Sequence, residues 1–301
     1  VDGVAEVNVE GYAAMSGNVD VRSADTAVLN IGEGLDEDGE TNYTHFDGSL
    51  VADAASVVRV DAEGEFSGGT IDAANATEAR FDIGEHGSTV SGGSDLDAVE
   101  TLSVETEGTT EFKNTFKSAQ DVSITGEMDL SSGDYEDVTF SGGLGSEGLE
   151  ENVNVDGTGL TGDLDLGNLG GDGVSVNVSG SDGDLTVGDV NADEFGLTAD
   201  GLMAADSGNG VEVGNIDART ATLSAVGAEA DFLVSGAKVE ETFNLNASEM
   251  AGDLDISGGS VTTEADGKIS LNAQGMEGDI GSAQDVNLAV ARRVARILRG
   301  E

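Results

Sequence analysis

This chain predicts an all-β fold: a β-solenoid (β-helix) of about a dozen coils, followed by a short C-terminal α-helix. Three observations carry that prediction. A cassette of apolar residues, glycine and aspartate recurs. Short apolar–polar–apolar triplets return at a regular spacing. Forty-six glycines and no proline separate them. The cassette runs from Leu245 to Leu254 (LNASEMAGDL) and returns as Leu271 to Ile280 (LNAQGMEGDI), with a fainter copy, VDGTGLTGDL, from Val155 to Leu164. Ser118-Ala119-Gln120-Asp121-Val122 is repeated letter for letter from Ser282 to Val286. Self-similarity at this scale marks one supersecondary unit stacked many times.

The triplets give the elements in order. Leu29-Asn30-Ile31, Val58-Arg59-Val60, Phe81-Asp82-Ile83, Leu102-Ser103-Val104 and Val122-Ser123-Ile124 read as half-buried strands. The series continues through Val138-Thr139-Phe140, Val153-Asn154-Val155, Val176-Asn177-Val178 and Phe195-Gly196-Leu197. Leu223, Phe243-Asn244-Leu245, Ile269-Ser270-Leu271 and Val286-Asn287-Leu288 complete it. A second set lies between them, at Leu164-Asp165-Leu166, Leu185-Thr186-Val187, Val211-Glu212-Val213 and Leu254-Asp255-Ile256. Two strands and two glycine-rich corners per coil are expected, in a rod of roughly 60 Å at ~4.8 Å per coil. The texture is uniform, so residues 1–288 form one solenoid domain and 289–301 a basic helix. One insertion interrupts the solenoid at about residues 32–48, where Glu33, Asp36, Glu37, Asp38 and Glu40 cluster.

After Leu288 the pattern changes. Val290, Val294, Ile297 and Leu298 fall at i, i+4, i+7 and i+8, the apolar stripe of a short helix. Arg292, Arg293, Arg296 and Arg299 occupy its other faces, a third of the twelve basic residues. Two roles are open to this helix: capping the end of the solenoid, or acting as a clasp that docks on the acidic flank of a neighbouring copy.

Sixty acidic residues against twelve basic ones give a formal charge of −48. Self-repulsion of that size calls for cations and excludes nucleic acid as a partner, since nothing would neutralise its phosphates. Without cysteine there is neither a disulfide framework nor thiolate chemistry. No apolar run reaches the length of a membrane span. The start at Val1 reads as a processed form or a fragment.

No catalytic constellation stands out, and the chain reads as a non-enzyme. His45 and His86 have neither metal-ligand spacing nor a triad setting, and three tyrosines make a poor sugar-stacking platform. Calcium is the candidate cofactor. Gly180-Ser181-Asp182-Gly183-Asp184-Leu185-Thr186-Val187 resembles a fragment of the nonapeptide turn of calcium-binding RTX repeats. Gly170-Gly171-Asp172-Gly173-Val174 and Gly92-Gly93-Ser94-Asp95-Leu96-Asp97 are weaker echoes. Asp95, Asp97, Asp172, Asp182 and Asp184 are therefore the candidate ligands, each set against the plainer reading of an Asp-Gly turn.

The cassette from Leu245 to Ile256 also resembles the repeat of large Gram-negative surface-layer and RTX-type exoproteins. That resemblance implies a calcium-dependent β-solenoid that is secreted and assembles on the cell surface. The chain departs from the family in lacking a tandem RTX array and in its arginine-rich terminus. Together these readings lead to an extracellular structural protein whose partner is itself, as a surface layer or filament. Two alternatives stand beside it: an adhesin stalk whose 32–48 loop contacts a receptor or cell-surface glycan, and a polysaccharide-active β-helix enzyme.

Overall fold

The computed structural model describes residues 3–9, 16–35, 41–67, 69–126, 137–145, 152–203, 210–256, 260–263 and 267–282. It shows an all-β, parallel β-solenoid of about ten turns. No α-helix occurs among the described residues, and the terminal segment 289–301 lies outside them.

Each coil visits three faces. The first face is a ladder of Val4–Val9, Thr26–Ile31, Val57–Ala62, Glu78–Ile83, Thr101–Thr106, Asp121–Gly126 and Asn152–Asp156. It continues through the later residues of Leu169–Asn177, Val190–Thr198, Val211–Ser224 and Phe232–Asn246, and then Lys268–Asn272. The second face holds His45–Phe46, Glu65–Ser67, Ser88–Val90, Thr110–Phe112, Val138–Phe140, Leu164–Asp165 and Leu185–Val187. The start of each of the two longest strands follows there, then Leu254–Ile256 and Ile280–Ser282. The third face is made of pieces such as Ser49–Val51, Ile71–Asp72, Leu144–Gly145 and Val261–Thr263. Sequence reasoning expected two strands per coil. The third is too short and too glycine-rich to show alternation: Leu169-Gly170-Gly171 is one example.

Strand alternation buries one residue in two, and parallel register stacks like on like. On the first face Ala27, Val58, Ala79 and Leu102 form one inward column and Leu29, Val60, Phe81 and Val104 another, all at most 1% exposed. The cassettes stack in the same way, Leu245 on Leu271 and Leu254 on Ile280. The same offsets recur at Val176, Leu197 and Leu223, each paired with its cassette neighbour.

The wide corner migrates along the rod. In early coils a turn such as 74–77 joins the third face to the first, while only Glu63 and Gly64 separate the first face from the second. From residue 157 onward the cassette forms a wide corner between first and second faces, and single strands run unbroken from third face to first. Gly159, Gly180, Gly201, Gly227 and Gly275 share one position in this corner, with φ from +65° to +77°; Glu249 holds it at φ 60°. A side chain is strained there by roughly 1–2 kcal/mol. Glu249→Gly therefore raises unfolding free energy by about 1 kcal/mol, measured as an increased urea midpoint at unchanged m-value.

The expected 32–48 insertion contains an antiparallel hairpin, Glu33–Leu35 with Thr41–Tyr43; the chain rejoins the second face at His45–Phe46. This hairpin is the antiparallel exception among the described pairings.

Candidate functional site

The acidic residues have a structural use that sequence reasoning missed. At the entry to the second face, carboxylates accept backbone N–H groups from the next coil. Asp137 accepts from Asp163 (3.1 Å), Asp163 from Asp184 (2.8 Å) and Asp184 from Gly210 (2.9 Å). Asp231 then accepts from Asp253 and Asp253 from Asp279, both at 2.7 Å. A second, shorter ladder marks the corner between second and third faces, where Asn168 accepts from the Asp189 N–H and Asp189 from that of Asn215. Each bond satisfies a corner donor that no strand ladder reaches. The available signal was the recurrence of Gly-Asp or Ala-Asp just before Leu164, Leu185, Phe232, Leu254 and Ile280.

The candidate calcium ligands are not gathered together. Asp184 belongs to the carboxylate ladder. Asp182 bridges to Met203 through the backbone, and Asp172 sits exposed where third face turns into first. Asp97 pairs with Lys117 at 2.5 Å, and Asp95 stacks on Asp72 in the adjoining coil. Among the described residues, no group of three or more histidines and carboxylates is placed to hold a metal ion.

Stacked carboxylates repel. Burial, followed by the charges of Asp53 and Asp95, raises the Asp72 carboxyl above its ordinary value, although Arg22 opposes the shift. Asp137 is raised by burial and then by Asp163, against the lowering hydrogen bond. Asp189 moves the other way, held low by the N–H and side-chain amide of Asn215. A raised folded value favours the protonated form, so stability from Asp72 and Asp137 is present below the unfolded pKa and lost as pH rises through the folded one. Asp189 contributes above its unfolded value and loses that contribution as pH falls. Protonation of Asp72 and Asp137 as pH falls toward the ordinary carboxylate range therefore stabilises the rod, before protonation of Asp189 in stronger acid weakens it. Asp72→Asn should raise the melting temperature at pH 7 and flatten the acid-side rise; an unchanged pH profile would contradict this.

Asp172, Asp193, Asp217, Arg219 and Glu240 line a shallow depression of about 210 Å³ along the third face. Arg219 pairs there with Glu194 (2.6 Å), Glu241 (3.4 Å) and Asp193 (4.0 Å), bringing neighbouring coils together. Lys238 pairs with Asp217 at 3.1 Å. His45 sits half-buried, its Nδ1 2.7 Å from Glu65 Oε2 on the adjacent coil.

The described coils at the two ends differ from the rest. Ile269, Leu271, Met276 and Ile280 are only partly buried, whereas Phe243, Leu245, Met250 and Leu254 beneath them are at most 2% exposed. Among the described residues nothing pairs with the outer edge of Lys268–Asn272 or Ile280–Ser282. At the other end Val4 is 68% exposed, and Val7, Val19 and Val21 are partly buried. The candidate assembly residues Val290, Arg292, Arg293, Val294, Arg296, Ile297, Leu298 and Arg299 lie outside the described residues.

Comparison with known proteins gives no relationship: no family model, curated protein or solved structure matches the chain. The class defined so far is that of the fold, a parallel β-solenoid. No helix among the described residues is long and apolar enough to cross a membrane.

Proposed function

We propose that this chain is an extracellular structural protein that self-associates, end to end, into a filament or surface layer. The observation that supports this most directly is the last described coil. Its apolar floor is partly buried and its strand edges have no partner among the described residues, which is the surface a further parallel coil would cover. The first described coil offers the matching edge. Head-to-tail contact between unlike ends is heterologous and repeats without closing, which yields a filament. In this reading the carboxylates and apolar columns serve the rod rather than catalysis. Cations, calcium among them, assist by lowering the repulsion between bodies of charge −48, acting diffusely along the carboxylate ladders. The arginines from Arg292 to Arg299 act as a clasp on the acidic flank of the neighbouring copy.

Two variants test this by sedimentation velocity. Ile269→Asp/Leu271→Asp places charge on the end coil and is expected to leave only monomers, with the circular dichroism of the rod retained. Replacing Arg292, Arg293, Arg296 and Arg299 by Ser is expected to weaken the polymers. Polymers unchanged in both variants would overturn the reading. The hairpin at Glu33–Leu35 and Thr41–Tyr43 supports a second reading, an adhesin stalk, which predicts monomeric rods and ligand binding lost when the hairpin is deleted.

A further inference from the structure

The first face carries an uncharged strip. Over five successive rungs its central outward positions are Ser175 and Asn177, Gly196 and Thr198, Thr222 and Ser224, Asn244 and Asn246, and Ser270 and Asn272. None of these ten positions is charged, in a chain where 24% of residues are. The contrast with its surroundings is sharp. The second face and its corner present Asp163, Asp165, Asp184, Glu212, Asp253 and Asp255 along the same stretch. The third face and its corner present Asp172, Asp193, Asp217, Glu240 and Glu241. Earlier on the first face itself, Arg59, Asp61, Glu78, Arg80, Asp82 and Glu105 point outward.

We infer that this strip is a lateral contact between copies of the chain, joining filaments side by side. The inference rests on the end-to-end reading above and deepens it. Charge supports it first, because two bodies of −48 approach at least cost through a strip without carboxylates, which Glu194 and Lys268 flank on the same face. Side-chain chemistry supports it second. Asparagine, serine and threonine each hold a donor and an acceptor, so a surface of them hydrogen-bonds to a copy of itself; aspartate and glutamate only accept. Asn272 already donates to Asn246 Oδ1 at 2.9 Å, an asparagine ladder of the kind that lines self-pairing sheets. Two such faces meet about 10 Å apart, related by a two-fold axis lying in the plane between them.

Area then sets the order of events. Five rungs at ~4.8 Å and an uncharged width of about three residues give a patch of about 240 Å² per copy. A stable interface buries about 800 Å² per partner. Single copies are thus too small to pair, whereas copies joined end to end repeat the strip along the filament and hold by multivalency. Lateral pairing follows polymerisation and strengthens with salt, which screens the acidic flanks.

The test uses electron microscopy of the full chain at low and high salt. Thr198→Asp/Thr222→Asp/Asn244→Asp charges the strip at solvent-facing positions. Thr89→Asp/Thr139→Asp/Thr186→Asp adds the same charge to the second face as a control, with circular dichroism confirming that both variants fold. Wild type and control are expected to form paired filaments at high salt, and the strip variant single filaments of unchanged length, with pairing reduced at least tenfold. Paired filaments in the strip variant would overturn the lateral contact and leave end-to-end assembly standing. Unpaired wild-type filaments that co-sediment with an insoluble neutral glycan, with the strip variant failing to do so, would overturn it in favour of a glycan occupant. Single short rods in wild type at both salt concentrations would overturn the end-to-end reading itself, and the strip contact with it.

Discussion

Phe112→Ala is expected to lower the unfolding free energy by about 3–5 kcal/mol, the loss typical of removing a buried ring. Phe112 is fully buried and stands where the three faces meet inside the rod. Its ring lies 4.8 Å from Phe81 and 5.6 Å from Phe116, both edge-on, and stacks at 5.0 Å on Phe140. Phe81 comes from the first face of the preceding coil, Phe116 from the third face and Phe140 from the second face of the next coil. One side chain thus couples consecutive coils and all three faces. The cluster also sits just before the stretch where the wide corner changes sides, so the stack has no regular neighbour to take over its contacts. Phe112→Leu keeps most of the apolar volume and should lose clearly less. Urea unfolding with a shared m-value measures both, and a loss under about 1 kcal/mol for the alanine variant would contradict this role.

Gly252→Ala is expected to cost about 2–3 kcal/mol although it adds a single methyl group. A Cβ at this position would lie 2.2 Å from the carbonyl oxygen of Ala230 and 2.3 Å from its carbonyl carbon. Both obstacles are backbone, so no rotamer change relieves the clash and the coil must move. The movement would pull on the neighbouring Asp253 N–H, which donates to Asp231 at 2.7 Å. A Cβ at Gly278 would lie 2.1 Å from Gly252 O, and one at Gly183 2.3 Å from Gly162 O. Amide hydrogen exchange is the sharper readout: protection at Asp253 and Asp279 should fall together, while protection in the first-face strands of early coils stays intact.

Much of this rod was legible as text because parallel stacking places chemically similar residues on one another. The cassettes at Leu245 and Leu271 differ at few positions and were visible at once. Those at Val176, Leu197 and Leu223 keep the same inward offsets but exchange their letters: Val178, Ala199 and Ala225 share one column, Ser181, Leu202 and Ala228 another. A column needs only a small or apolar residue, so the identity drifts while the geometry holds. The third face was hidden for a different reason. Segments such as Leu169-Gly170-Gly171 carry too few side chains to show alternation, and the migration of the wide corner leaves no mark in any single coil.

The candidate site was less legible. Acidity itself was plain, but an aspartate that binds a cation and one that accepts a neighbour's N–H look alike in a turn. Asp184 sits in the turn that resembles a calcium-binding repeat, and its carboxylate accepts the Gly210 N–H. Asp231 and Asp253 do the same for the following coils without any resemblance to a known motif. The uncharged strip was invisible because its members come from five separate rungs and gain meaning only in register.

The measurement that bears most directly on the central claim is negative-stain electron microscopy of the purified chain, with calcium and then with chelator. The account predicts filaments or sheets built from rods of about 50 Å, at ~4.8 Å per coil, joined end to end. They should thin or shorten when divalent cations are removed, as repulsion between the acidic bodies returns. Single rods of one length in both conditions would contradict it.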